Sequence, residues 1–80
     1  MAEVKIYTTT WCPDCRNAKA WLDKRGIAYD EINVETAPEA AQFVMAVNNG
    51  KRKVPTFVIG ADAFHNSPYS QAVMEEKFGS

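Results

Sequence analysis

The sequence predicts an α/β fold in which a mixed four-stranded sheet is flanked by three helices, in the order β-α-β-α-β-β-α. Two observations carry this. Short β-branched and aromatic runs alternate with stretches whose apolar residues recur at helical spacing. Gly, Pro and Asn fall between them, where turns and helix ends need such residues. At 80 residues and 46% hydrophobic content, the chain can build one modest core, so a single domain over residues 1–80 is expected.

Val4-Lys5-Ile6-Tyr7-Thr8 reads as the first strand and runs into the turn Thr9-Thr10-Trp11-Cys12, with Pro13 at a first helical position. From Pro13 to Arg25 the apolar Cys15, Ala18, Trp21 and Leu22 keep helical spacing, and Gly26 stops the helix. Ile27 to Val34 is the second strand. Thr36-Ala37-Pro38-Glu39 then has the spacing of a capping box for a helix carrying Ala40, Phe43, Val44 and Val47 on one face. Asn48-Asn49-Gly50 ends it. After the basic loop Lys51-Arg52-Lys53, Val54 to Ile59 is the third strand, Gly60-Ala61-Asp62 turns the chain, and Ala63-Phe64-His65 returns it. Ser67 as N-cap and Pro68 in the first turn open a last helix carrying Ala72, Val73 and Phe78. Strands 1 and 2, joined through a helix, should lie parallel, and the last two antiparallel across their tight turn.

Composition excludes several function classes. A formal net charge of −1 with 24% charged residues gives no field to attract nucleic acid or an anionic membrane, and the basic cluster is only three residues long. No window approaches the length of a transmembrane helix, and Met1 to Ile6 show no basic segment followed by an apolar one. A cytoplasmic monomer is expected.

In a reducing compartment, two cysteines at C-x-x-C spacing serve redox chemistry or metal binding sooner than a structural bridge. Disulfide exchange needs a thiolate to attack and a second thiol to resolve the mixed disulfide. At the N-cap, Cys12 faces the unpaired amides and positive pole of the helix end and is assigned as nucleophile. Cys15, one turn inside and better shielded, is the resolving thiol. Pro13 stiffens the turn where no amide donor is needed. Asp14 opposes negative charge on Cys12: a carboxylate at about 7 Å costs roughly 0.6–2.4 kcal/mol, against roughly 0.3–1 kcal/mol from the helix end. An acid in a first helical turn is also stabilising in its own right. A structural zinc site would have only Cys12, Cys15 and His65 to draw on, so no metal site within one chain is expected. The competing reading is a dimeric iron-sulfur module that uses Cys12 of each chain together with an external thiol.

The run Tyr7-Thr8-Thr9-Thr10-Trp11-Cys12-Pro13-Asp14-Cys15, followed by Val47-Asn48-Asn49-Gly50-Lys51-Arg52-Lys53-Val54-Pro55-Thr56, resembles the short glutaredoxin-like proteins of the thioredoxin superfamily. Among these it is most similar to mycoredoxins and to the redoxins that reduce ribonucleotide reductase. The resemblance covers the chain to about Ile59 and implies a thioredoxin-like fold and thiol-disulfide oxidoreductase activity on protein disulfides or mixed disulfides. It implies a cis Pro55 beside the cysteines and a Val54 backbone that pairs with substrate in an extended manner. The implied electron donor is glutathione, mycothiol or a flavoprotein reductase, with no tightly bound cofactor. Glutathione-using members commonly carry Gly-Gly and an acid before the last helix, whereas this chain has Phe64-His65-Asn66-Ser67-Pro68. Ser67, at the amides of that helix start, and Arg52 or Lys53 are the groups placed to meet a ligand carboxylate. Trp11, immediately before the nucleophile, serves either as a docking patch or in packing against the first helix.

Overall fold

β1 is the strand on which the sheet is built. The computed structural model describes residues 3–79 and contains β1 (Val4–Thr8), α1 (Pro13–Lys24), β2 (Asp30–Asn33), α2 (Pro38–Val47), β3 (Thr56–Ile59), β4 (Asp62–His65) and α3 (Gln71–Phe78). The sheet runs β2-β1-β3-β4. β1 pairs parallel with β2, antiparallel with β3, and β3 pairs antiparallel with β4. This is the mixed sheet the sequence predicts. The crossover through α1 permits the parallel pair, and the short Gly60 turn permits only the antiparallel one.

Alternation along β1 sends Val4 and Ile6 to the face covered by α1 and α3. There they meet Phe57 of β3, Ala18, Trp21 and Leu22 of α1, and Met74 of α3. Tyr7 points to the other face, where its ring lies 5.0 Å from that of Phe43 of α2, tilted by 30°. A second buried cluster joins Ala41 and Val44 of α2 to Val34, Val54 and both cysteines. The cysteines therefore lie where the α2 side of the core meets the first turn of α1.

α1 ends as predicted. Gly26 takes a φ of 68°, its amide donates to Asp23 O at 3.1 Å, and the Ile27 amide donates to Leu22 O at 3.0 Å. This is the Schellman arrangement, in which a left-handed residue closes the last carbonyls. It also shortens the second strand. Ile27 has its amide committed to the helix end, so β2 begins only at Asp30; beyond Asn33, one more bond runs from the Val34 amide to Thr8 O at 2.9 Å.

Three other boundaries differ from the sequence reading. Thr36 does not cap α2: its hydroxyl donates back to Asn33 O at 3.3 Å, closing a turn, and Ala37 takes the N-cap position. The helix buries Ala41 and Val44, while Phe43 remains 37% exposed over Tyr7. β3 starts at Thr56, since Pro55 has no amide to give a ladder. The last helix starts at Gln71 with Ser70 as N-cap, so Ser67 and Pro68 lie before it. The cause is Asn66, which is buried: its Oδ1 accepts from the Ser70 amide at 2.9 Å and its Nδ2 donates to Ser70 O at 3.0 Å. A side chain that satisfies the backbone in this way holds the segment as a loop. Met74 is the fully buried residue of α3, and Phe78 packs against Trp21, Phe57 and Phe64.

Among the described residues no helix is long and apolar enough to cross a membrane.

Leu22 is fully buried at the centre of the α1 face. Leu22→Ala should lower unfolding stability by about 2–5 kcal/mol in denaturant titration. Phe43→Ala, on a half-open ring, should cost less than half as much.

Candidate active site

Cys12 occupies the N-cap of α1 with extended backbone (φ −80°, ψ 113°), and its sulfur accepts the Cys15 amide hydrogen at 3.0 Å. The thiol thus replaces the Ser, Thr or Asp side chain that ordinarily satisfies an unpaired first-turn amide. Pro13 follows at N1, where its lack of an N–H costs nothing. From the opposite side the Cys12 thiol donates to Val54 O at 3.7 Å. Cys12 is 4% exposed and Cys15 1%. Both thiols are thus buried, the nucleophile candidate slightly less so than its partner.

Cys15 is strongly biased towards the protonated form. Burial first, then the hydrogen bond with the Cys12 thiol, pushes its thiol up to about 12; the Thr9 amide and the charge of Lys19 work in the other direction. Asp14 is half-buried in the first turn.

The turn before Cys12 is held by a residue that sequence reasoning passed over. Glu35 accepts from the Thr10 amide at 3.0 Å with one carboxylate oxygen and from Trp11 Nε1 at 2.9 Å with the other. The Thr10 amide above all, then the Thr10 hydroxyl and the Trp11 indole, with Arg52 adding its charge, hold the Glu35 carboxyl below the usual carboxylate range. Asn33 completes the brace by donating to the Thr10 hydroxyl at 3.0 Å and accepting from the Glu35 amide at 2.8 Å. The available signal was the Asn-x-Glu spacing, since an Asn that accepts from the amide two residues on forms an Asx turn. Trp11 is tethered by its indole edge but leaves its body open, 66% exposed. That exposure favours the docking alternative over burial against the first helix.

The third wall is the segment Val54-Pro55, whose peptide bond is cis. Two buried side chains fix it. Asn48 donates to Val44 O at 2.7 Å and to the Thr56 hydroxyl at 3.1 Å, and that hydroxyl donates to Lys53 O at 2.6 Å. Behind it, the Asn66 amide donates to Pro55 O at 3.0 Å. The sequence marks Asn48 only as a helix end and gives Asn66 no role.

Arg52 reaches this rim, donating to Val34 O at 3.3 Å beside Glu35. Lys53 instead lines a separate shallow cavity with His65 and Asn49. Ser67 is not at a helix start; its amide donates to His65 Nδ1 at 3.3 Å. The structure thus sets Val54 against Cys12 and links Trp11 and Arg52 to the cysteine turn through Glu35 and Val34. Beside both cysteines opens a cleft of about 360 Å³, walled by the Thr9-Thr10 turn, by Arg16 and Lys19 of α1 and by Glu31 and Asn33 at the β2 side. Among the described residues no group of three His, Cys, Asp or Glu is placed to hold a metal ion.

The family model for glutaredoxin matches residues 4–64, from the start of β1 into β4. Mycoredoxin 1 from Corynebacterium glutamicum is 48% identical over 56 residues, 70% of this chain and 68% of that one. A Mycobacterium tuberculosis protein named as a glutaredoxin is 49% identical over 55 residues, 69% of this chain and 66%, just under two thirds, of its own length. Of solved structures, the glutaredoxin-like NrdH-redoxin from Escherichia coli has a TM-score of 0.69 at 32% identity, covering 78% of this chain and 79% of that one. A glutaredoxin from Archaeoglobus fulgidus shares the fold over 100% of this chain and 89% of its own, with a TM-score of 0.76 at 24% identity. With a cysteine pair at the start of α1, this fold and these relatives, the chain belongs to the glutaredoxin family.

Proposed function

We propose that the chain, as a single cytoplasmic domain, reduces protein disulfides or mixed disulfides by a dithiol mechanism in which Cys12 attacks and Cys15 resolves. The observation that carries this reading is the Cys15 amide directed at the Cys12 sulfur from 3.0 Å at the first turn of α1. A donor and a helix end that face a sulfur favour negative charge on it.

The residues then divide the work. Cys12 thiolate attacks one sulfur of the substrate disulfide, expelling the other half as a thiolate and forming a mixed disulfide. Val54, whose carbonyl takes the Cys12 thiol hydrogen in the resting protein, offers its backbone to an extended substrate chain. Pro55 fills the wall behind it, and Pro13 and Asp14 set the first turn of the helix that aims the sulfur. Trp11 offers open apolar area to a protein substrate, and Arg52 a cation to a carboxylate. Ser67, three residues before the N-cap of α3, offers only its hydroxyl, since its amide is engaged by His65. Cys15 next attacks Cys12, the substrate leaves reduced, and the pair is left as a disulfide that needs an external donor.

A low-molecular-weight thiol is the donor this reading favours, with mycothiol first because the mycoredoxin relative is 48% identical. A reductase is the second candidate, supported by the thioredoxin-like activity profile described for the Escherichia coli NrdH-redoxin. Coupled NADPH oxidation, run separately with mycothiol and its reductase, with glutathione and its reductase, and with thioredoxin reductase alone, separates the three. Turnover with mycothiol supports the favoured reading; turnover only with thioredoxin reductase moves the chain to the second. Inactivity in all three alongside an unreactive Cys12 would overturn it.

Cys12→Ser should abolish turnover in whichever assay works. Cys15→Ser should still consume one substrate disulfide per chain and stop at a mixed disulfide on Cys12, visible as an intact-mass adduct. Trp11→Ala should lower kcat/KM about tenfold on a protein disulfide, about 1.4 kcal/mol, while leaving a small disulfide within twofold. Equal losses on both would assign Trp11 to the turn rather than to docking.

A further inference from the structure

The resolving step needs the thiol that the fold makes hardest to ionise, and the dithiol mechanism names no group that helps it. The cleft beside the cysteines contains one. Lys19 follows Cys15 by four residues on α1, the spacing that sets two side chains on one face of a helix. Its ammonium lies 2.8 Å from a carboxylate oxygen of Glu31, and the same oxygen accepts from the Thr8 hydroxyl at 2.7 Å. These contacts keep Glu31 charged below the usual carboxylate range, Lys19 being the first cause. The other wall is Thr9, 5% exposed, whose hydroxyl has no hydrogen-bond partner among the described residues. That oxygen is closed to solvent, while the cleft of about 360 Å³ beside the cysteines has room for water.

We propose that this cleft is where Cys15 ionises: Lys19, braced by Glu31, is the charge against which the thiolate forms, and water in the cleft carries the proton away. The proposal rests on the dithiol reading above. In the mixed disulfide Cys12 carries neither proton nor charge, so its two contributions against Cys15 ionisation are gone, leaving burial opposed by the Thr9 amide and Lys19. The cation therefore counts most in the state where it is needed. The charged and titratable groups facing Cys15 are Cys12 from the turn, Arg16 and Lys19 from α1, and Glu31 from β2. Arg16 has its charge in solvent, while Glu31 partly offsets Lys19 and fixes its place. The step balances without a further reagent. Cys15 gives its proton to cleft water and its sulfur attacks Cys12 Sγ; the Cys12–substrate bond breaks, the Cys12–Cys15 bond forms, and the substrate thiolate takes a proton from solvent.

Mixing the reduced protein with one equivalent of dithiobis(nitrobenzoate) in a stopped-flow instrument resolves the two attacks as two releases of coloured thiolate. The first reports Cys12 and the second Cys15. Lys19→Met should slow the second phase relative to the first about tenfold at neutral pH and move its pH midpoint up by about one unit. Lys19→Arg should restore both. Glu31→Gln, which keeps an acceptor for Lys19 but removes the opposing charge, should move the midpoint down. A second phase in Lys19→Met with native rate and midpoint would overturn the proposal, as would an upward shift in Glu31→Gln, which would make the carboxylate a base. Absence of the first phase in the native chain would instead overturn the assignment of Cys12.

Discussion

The hydrogen bond from the Cys15 amide to the Cys12 sulfur is the constraint to which the rest of the site answers. It makes the sulfur a structural element, because the N-cap of α1 has no other side chain to satisfy that amide. It makes the helix start a chemical element for the same reason. Everything that fixes α1 on the sheet therefore also fixes the direction of the sulfur. The Schellman closure at Gly26, the seat of Leu22 and Trp21 against β1 and β3, and the α1–α3 contact through Arg25 and Glu75 at 3.8 Å all act on the same lever. Placing α1 directly after the central strand β1 puts its N-terminus where three chain segments converge. Those segments are the β1–α1 turn, the end of β2 and the start of β3.

Much of this was legible in the sequence. The element order, the parallel and antiparallel pairs, the cap role of Cys12, the N1 role of Pro13 and the stop at Gly26 all follow from period, punctuation and spacing. What was not legible shares one physical origin. Thr36, Asn48, Asn66 and Glu35 are polar side chains whose preferred partner is a backbone group several residues away or on another element. Local pattern says that such a residue caps or turns, but not which amide or carbonyl it takes. Thus Thr36-x-x-Glu39 fits a capping box, and the hydroxyl goes to Asn33 instead. Ser67-Pro68 fits a helix opening, and Asn66 claims the Ser70 backbone and delays it. Glu35 has no local reading at all, because its partners are more than 20 residues away.

Those tertiary polar contacts are concentrated around the cysteines, whereas the α1–α3 face is held by apolar packing. The division suits the two tasks. Apolar packing supplies most of the stability but tolerates small shifts in position. Directional hydrogen bonds at Thr10, Trp11, Thr56 and Pro55 set the walls around the Cys12 sulfur. The two buried clusters are thus unlike in kind: one is a hydrophobic support, the other a frame with apolar filling.

The sheet has two outer strands, β2 and β4, each only four residues long and each beginning with an aspartate. β2 adds Glu31, so its outer margin is short and acidic, and β4 carries Asp62 beside Lys77 at 3.6 Å. Short, charged margins are poor templates for adding a strand from another copy. On the reading proposed above, the backbone offered to an extended partner lies beside the thiol, and the flanks of the sheet offer only four residues each. Continued strand pairing between copies of the chain is disfavoured at both of these flanks.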